Sequence, residues 1–206
     1  MAPKHKKPLT TANAKVRKTN YNLIFDGNSL TAYDGYVGIV AQSLRAKGDT
    51  PTVQNYGVSG QTTAQMLSDV VTQVDTLANL NKPLNIVSCW EGSNDLQLGG
   101  TVVAAHSRLM DYCIGRRNAG FKVIVGTLTP RNTVDIEAKR LAVNTLLRNT
   151  WTTFADGLVD VGGDPIIGNL ATCSDTRYYV DGVHFASQGH PIVAGYFLAA
   201  VEALLY

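Results

Sequence analysis

Short apolar runs alternate with longer amphipathic stretches along most of this chain, and few folds accommodate that order. Tyr21–Phe25, Thr52–Tyr56, Leu84–Trp90, Phe121–Leu128 and Leu158–Val161 read as strands, and Leu84–Trp90 is apolar enough to be central. Between them lie helical patterns. Residues 35–47 place Tyr36, Val40 and Leu44 one turn apart and stop at Gly48. Thr62–Leu77 follows, with Thr62 or Thr63 as its N-cap. Thr101–Ala119 ends at Gly120. Asp135–Phe154 is expected to bury Ile136, Leu141, Leu146 and Leu147, and a last helix covers about Ser187–Leu205. Regular alternation of strand and helix implies βαβ units, hence a parallel sheet with helices on both faces. The expected fold is α/β: a flavodoxin-like three-layer α/β/α sandwich with a five-stranded parallel sheet in the order 2-1-3-4-5.

Composition agrees with one core and narrows the class. Of 206 residues, 45% are hydrophobic and 17% charged, which excludes a wholly disordered chain. The charge is uneven. Residues 1–20 hold six basic residues and no acid, leaving twelve basic against 16 acidic residues, a formal charge of −4, on residues 21–206. A mildly acidic body argues against a nucleic-acid-binding domain. The expected organisation is a basic flexible tail over residues 1–20, able to contact an anionic surface or a partner protein, and one domain over 21–206. Cys89, Cys113 and Cys173 are too few and too scattered for a disulfide scaffold or a zinc site. Residues 1–20 contain no signal-peptide core, and the longest apolar run, Ala194–Tyr206, is too short to span a bilayer and contains Glu202. The expectation is a soluble protein without integral membrane contact, cytoplasmic or part of a larger particle.

In such sheets ligands bind beyond the carboxyl ends of the strands. The loops there read Gly27-Asn28-Ser29-Leu30-Thr31, Gly57-Val58-Ser59-Gly60-Gln61-Thr62 and Glu91-Gly92-Ser93-Asn94-Asp95, with Asp181-Gly182-Val183-His184 before the last helix. A tight turn lets Asp181 reach the His184 ring, fixing its tautomer and leaving the other nitrogen as a base. Ser29, exposed at the end of strand one, becomes a nucleophile if that base reaches it, and is otherwise an N-cap. Gly60 offers a backbone N–H and Asn94 an amide to an oxyanion. The alternatives are a positive-φ turn for Gly60 and an Asx turn for Asn94. Asp95 is expected to cap the segment that follows it. His5, His106 and His190 are weaker candidates; for His190, inside the last helix, contact with the site is one reading and a packed or solvated role the preferred one. Trp90, Tyr33, Tyr36, Tyr178, Tyr179 and Phe185 flank these loops; Trp90, Tyr33 and Phe185 are the candidate substrate-binding residues, the alternative for each being the core.

Taken together and in order, Gly27-Asn28-Ser29-Leu30-Thr31, Gly60 within Asn55–Thr63, Gly92-Ser93-Asn94-Asp95 and Asp181-Gly182-Val183-His184 resemble the four signature blocks of the SGNH (GDSL-type) hydrolase family, and the resemblance covers residues 21–206. It implies a Ser-His-Asp esterase acting on esters or O-acyl groups. Ser29 matches the nucleophile, His184 the base and Asp181 its orienting acid. The Ser29 N–H, the Gly60 N–H and the Asn94 amide match the oxyanion hole. Asn28 departs from the pattern, which more often has Asp there. Asn keeps the shape and the accepting oxygen and loses the charge.

The functional expectation is therefore a serine esterase removing a short acyl group such as acetyl from a carbohydrate or similar small ester. Lysophospholipase, thioesterase and acyltransferase activities would use the same residues. A rival of another class is a non-catalytic binding or structural component of a larger assembly. No cofactor or metal is expected. The chain has no Walker loop and no Gly-x-Gly-x-x-Gly fingerprint, which speaks against nucleotides, and no Gly-x-Ser-x-Gly elbow.

Overall fold

In the computed structural model, which describes residues 16–33, 35–132 and 134–206, every residue of the first strand, β1 (Asn22–Gly27), is buried. Such a strand must be covered on both faces and paired on both edges. It pairs in parallel with β2 (Thr52–Gly57) on one side and β3 (Asn85–Trp90) on the other. β4 (Lys122–Gly126) and β5 (Gly157–Val159) continue the sheet, giving the expected order β2-β1-β3-β4-β5.

Side-chain alternation divides the interior into two cores. Leu23, Phe25, Ile86, Trp90 and Ile124 face α2 (Gly35–Ala46) and α7 (Gly189–Ala203), meeting Tyr36, Val40, Val193 and Phe197. Ile24, Val87, Cys89, Val123 and Val125 face the opposite layer of α3 (Thr63–Gln73), α5 (Val102–Asn118) and α6 (Val134–Thr150). Two short helices start where β1 and β3 end: α1 (Ser29–Ala32) and α4 (Ser93–Gln97). Thr62 caps α3 in a reciprocal capping box with Gln65, and Thr101 caps α5.

Three expectations change. The helical patterns ending at Leu77 and Phe154 stop as α-helices at Gln73 and Thr150, and single 3₁₀ turns, Asp75–Leu77 and Trp151–Thr153, complete them. On α6, Leu141 is 48% exposed and Leu146 half-buried, while Arg140 holds the inner position at 3% exposure. Arg140 tolerates burial because its guanidinium is fully engaged. Glu137 takes two of its bonds, at 2.7 and 2.6 Å, and the Leu128 carbonyl a third, at 2.9 Å. Residues 17–19, expected to belong to a loose leader, are tied down. Arg17 donates to Asp49 at 2.7 and 3.2 Å, the Lys18 N–H to the Leu205 carbonyl, and the Thr50 N–H to the Thr19 carbonyl. The rest of the expected tail, residues 1–15 with His5, lies outside the described residues. Among the described residues no helix is long and apolar enough to cross a membrane.

The sheet's carboxyl edge is set by a close approach. A Cβ on Gly57, the last residue of β2, would stand 2.3 Å from the Ala32 backbone nitrogen, so α1 packs directly onto β2 because residue 57 has no side chain. Gly57→Ala should lower stability by about 1–3 kcal/mol. Gly38→Ala, on the exposed side of α2 with nothing within 4 Å of the new methyl, should raise it by about 0.5–1 kcal/mol. Urea unfolding of the two variants checks the pair, and similar effects would contradict the close approach.

Candidate active site

Ser29 opens α1 at the carboxyl end of β1. Asn28, in extended conformation, caps that helix by accepting the Leu30 N–H at 3.0 Å. The Ser29 hydroxyl lies 2.8 Å from His184 Nε2. His184 Nδ1 lies 2.7 Å from Asp181 Oδ2, and Asp181 Oδ1 accepts the backbone N–H groups of Val183 and His184 at 3.0 and 2.8 Å. Gly182, with φ +80°, closes this turn. A carboxylate can only accept, so Nδ1 carries the proton toward Asp181 and Nε2 is left to accept from Ser29. Burial pushes the Asp181 carboxyl up, but the backbone N–H and ring of His184 and the Val183 N–H outweigh it and hold it below the usual carboxylate range. Three side chains from opposite ends of the chain thus form one hydrogen-bonded relay.

The other expected donors are knitted to that turn in sequence. Asn28 Nδ2 donates to Ser93 Oγ at 3.3 Å, and next to Ser93 the buried Asn94 donates from Nδ2 to the Gln61 carbonyl at 2.7 Å. Gln61 follows Gly60, whose φ of +77° suits a glycine although nothing lies within 4 Å of where a Cβ would be. Gly60 lines a separate depression with Val58, Ser59, Gln61, Gln65 and Asp69, beside the main cleft. Asp95 does not cap the segment that follows it. It accepts the N–H of Thr63 at 2.8 Å and its hydroxyl at 2.5 Å, pinning the start of α3.

The main cleft, about 420 Å³, is lined by Leu30, Tyr33, Val180, Asp181, His184, Phe185 and His190. Tyr33 is 61% exposed and sets its ring edge-on to His184, centroids 5.1 Å apart. Phe185 reaches the cleft from beneath. Trp90, expected to bind substrate, does not reach it: it is 1% exposed and donates from Nε1 to the Thr127 carbonyl. Its bulk fits because it pairs with Gly27 and lies over Gly126, where a Cβ would meet the indole at 2.5 Å. It supports Phe185 from behind, rings 6.0 Å apart and nearly parallel. Tyr36 and Tyr179 are core residues too. His190, expected to be packed or solvated, lies in the cleft wall, with Gly35 leaving room for its ring. Burial lowers its pKa.

Three residues of the site escaped the sequence reading. Arg131, just beyond β4, donates to Asn94 Oδ1 at 2.8 Å. A guanidinium only donates, so it fixes the amide with Oδ1 toward Arg131 and Nδ2 toward the Gln61 carbonyl, and the second Nδ2 hydrogen is the one that can serve an oxyanion. Burial lowers the Arg131 pKa against the opposing pull of Glu91 and Asp181. Glu91 is fully buried behind Asn28. Asp26, two residues before Asn28, accepts from the Tyr112 hydroxyl at 2.6 Å across to α5. The available signal was position: all three sit at the carboxyl ends of strands. Among the described residues no His, Cys, Asp and Glu side chains group as metal ligands.

Comparison with known proteins bears on the family and the fold. The model of the GDSL-like lipase/acylhydrolase family matches residues 24–192. No curated protein matches the sequence. Among solved structures, TesA is 19% identical with a TM-score of 0.72 over 89% of this chain and 99% of its own. The lipase/acylhydrolase from Enterococcus faecalis is 18% identical, with a TM-score of 0.75 over 90% and 97%. A mutant of an acetyl-xylooligosaccharide esterase from Geobacillus Stearmophilus is 18% identical, with a TM-score of 0.68 over 87% and 93%. At these identities the structural likeness is one of fold.

Asp26 gives the site a measurable pH dependence. Burial raises its carboxyl from the ordinary 3.8 to about 6, despite the Tyr112 bond. The folded state therefore keeps a proton that the unfolded chain has lost, and this contribution to stability falls as pH rises from 3.8 to 6. Asp26→Asn should match the parent at pH 3.5 and exceed it at pH 7 by up to about 3 kcal/mol. Urea unfolding at the two pH values checks this. A variant less stable at pH 7 would mean that Tyr112 requires a charged acceptor.

Proposed function

The chain belongs to the GDSL-like lipase/acylhydrolase family of carboxylic ester hydrolases, and from that premise we propose that it is a serine esterase releasing short acyl groups, acetyl above all, from a carbohydrate or similar small ester. The observation that carries this reading is the relay from the Ser29 hydroxyl to His184 at 2.8 Å and from His184 to Asp181 at 2.7 Å. Ser29 Oγ attacks the ester carbonyl while His184 Nε2 takes its proton, and Asp181, kept ionised, stabilises the imidazolium. The tetrahedral oxyanion is held by the Ser29 N–H, the Gly60 N–H and the Asn94 amide, the last oriented by Arg131. His184 then protonates the departing alcohol. In the second half it deprotonates the water that attacks the acyl-Ser29 ester, releasing the acid and free Ser29.

The substrate class rests on the cleft. Its open side, beside the exposed Tyr33, offers an aromatic face of the kind that packs against a sugar ring. Phe185 and Leu30 give the cleft part of its apolar lining, which we take as the side that receives the acyl group. The fold-mate that deacetylates xylooligosaccharides supports this choice, as a parallel of fold only. Asn28 still caps the helix that presents Ser29, so the loss of the more common carboxylate leaves the nucleophile's placement intact.

Hydrolysis of p-nitrophenyl acetate should exceed that of the decanoate ester in kcat/KM, and Ser29→Ala should lower kcat by about 10⁴-fold or more with an unchanged unfolding midpoint. Asp181→Asn should cost about 10²–10⁴-fold. Equal rates for the parent and Ser29→Ala would overturn the enzyme reading, and a preference for the decanoate would overturn the short-acyl reading.

A further inference from the structure

Behind the Ser29 turn lies a carboxyl that the proposed reaction does not use. Glu91, fully buried, precedes Gly92, whose φ of +116° swings the chain into α4. Its Oε1 accepts two bonds, from Asn28 Nδ2 at 2.9 Å and from the Gly92 N–H at 2.8 Å. Its Oε2 is buried with no hydrogen-bond partner. Leaving a buried polar atom bare costs free energy, so the carboxyl is retained for what Oε1 does.

Oε1 fixes Asn28 at its second end. The Asn28 oxygen accepts from the Leu30 N–H and its nitrogen donates to Glu91, so the amide is held in one orientation between β3 and the start of α1. A carboxylate at position 28 has no N–H to give and would pair with Glu91 only through the Glu91 proton, whereas the Asn28 amide donates to Oε1 whether or not Glu91 is ionised. We propose that Glu91 is a positioning residue of the site: its buried carboxyl clamps the Asn28 amide and thereby holds the turn that aims Ser29 at His184. The inference rests on the esterase reading for its kinetic part only.

The protonation state follows from the surroundings. Burial raises the Glu91 carboxyl to about 8, against the lowering effect of the Gly92 and Asn28 bonds. Asp95 on α4 and Asp26 on β1 push it further up, while Arg131, beyond β4, is the cation within its field. At neutral pH the group is a neutral acid. Oε1 already accepts from two N–H groups, so the proton belongs on Oε2. Glutamine has the same shape and can keep both Oε1 bonds without ever ionising. Above pH 8 the native carboxyl ionises and puts a negative charge behind the place where an oxyanion develops, which lowers turnover.

The test compares Glu91→Gln, Glu91→Leu and the parent on p-nitrophenyl acetate between pH 6 and 10. Glu91→Gln should keep kcat at pH 7 within about threefold and lose the alkaline fall. Glu91→Leu should lower kcat about ten- to a hundredfold with KM little changed, because the turn loses its anchor. The ¹⁵N side-chain resonance of Asn28 should be shifted and slow to exchange in the parent and in Glu91→Gln, and should be lost in Glu91→Leu. An alkaline fall that survives in Glu91→Gln, parent-like kcat in Glu91→Leu, or an Asn28 resonance indifferent to residue 91 would each overturn the proposal. If Glu91→Leu does not fold, the pH profile of Glu91→Gln decides. If the parent hydrolyses nothing, the esterase reading fails, and the Asn28 resonance, which needs no turnover, still tests the clamp.

Discussion

Ser29 and His184 are 155 positions apart in the chain and 2.8 Å apart in the fold. Everything else in the structure bears on keeping that one hydrogen bond short. A side-chain bond across such a separation has no local propensity behind it. Its geometry is inherited from the elements at its two ends: β1, locked between β2 and β3, and the Asp181 turn ahead of α7. The α7 layer then packs on the same core face as Phe25 and Trp90, so the two ends share one rigid support.

The supporting layer beneath this bond is unusually polar for a buried place. Asp26, Asn28, Glu91, Ser93, Asn94 and Asp95 are all buried along the carboxyl edge of β1 and β3. Asp26 accepts from Tyr112 in the middle of α5, while the others bond from one strand end or helix start to another and join the turns carrying Ser29, Asn94 and Gly60. Such a network costs stability through desolvation, seen in the raised carboxyls of Asp26 and Glu91. In return it specifies one arrangement of loops that apolar packing alone would leave loose.

The fold was legible because the signals were local and repeated. Most strands were short and apolar, α3 and α5 began on recognisable Thr caps, and the regular strand–helix alternation pointed to the parallel sheet order that the fold has. The relay residues were legible for a similar reason, since Asp181 and His184 share a turn and Ser29 directly follows a strand. What escaped depended on tertiary context. Arg140 displaced Leu141 from the core because its charge was satisfied by partners that no helical period reveals. Trp90 went to the core because Gly126, on another strand, made room for it. Arg131 and Glu91 carry no motif, and their importance appears only once Asn94 and Asn28 are seen to need orienting. His190 belongs to the cleft wall because Gly35, far away in the chain, has no side chain.

The central claim is that Ser29 is a nucleophile activated by its contact with His184. A fluorophosphonate probe reports this directly, because phosphonylation requires an activated hydroxyl and leaves a covalent mass. The account predicts one adduct per chain, mapped by peptide mass spectrometry to Ser29, formed rapidly in the parent and far more slowly when His184 is replaced by Ala. Absence of labelling at Ser29 in the folded parent, or labelling at an unchanged rate without the imidazole, would contradict it.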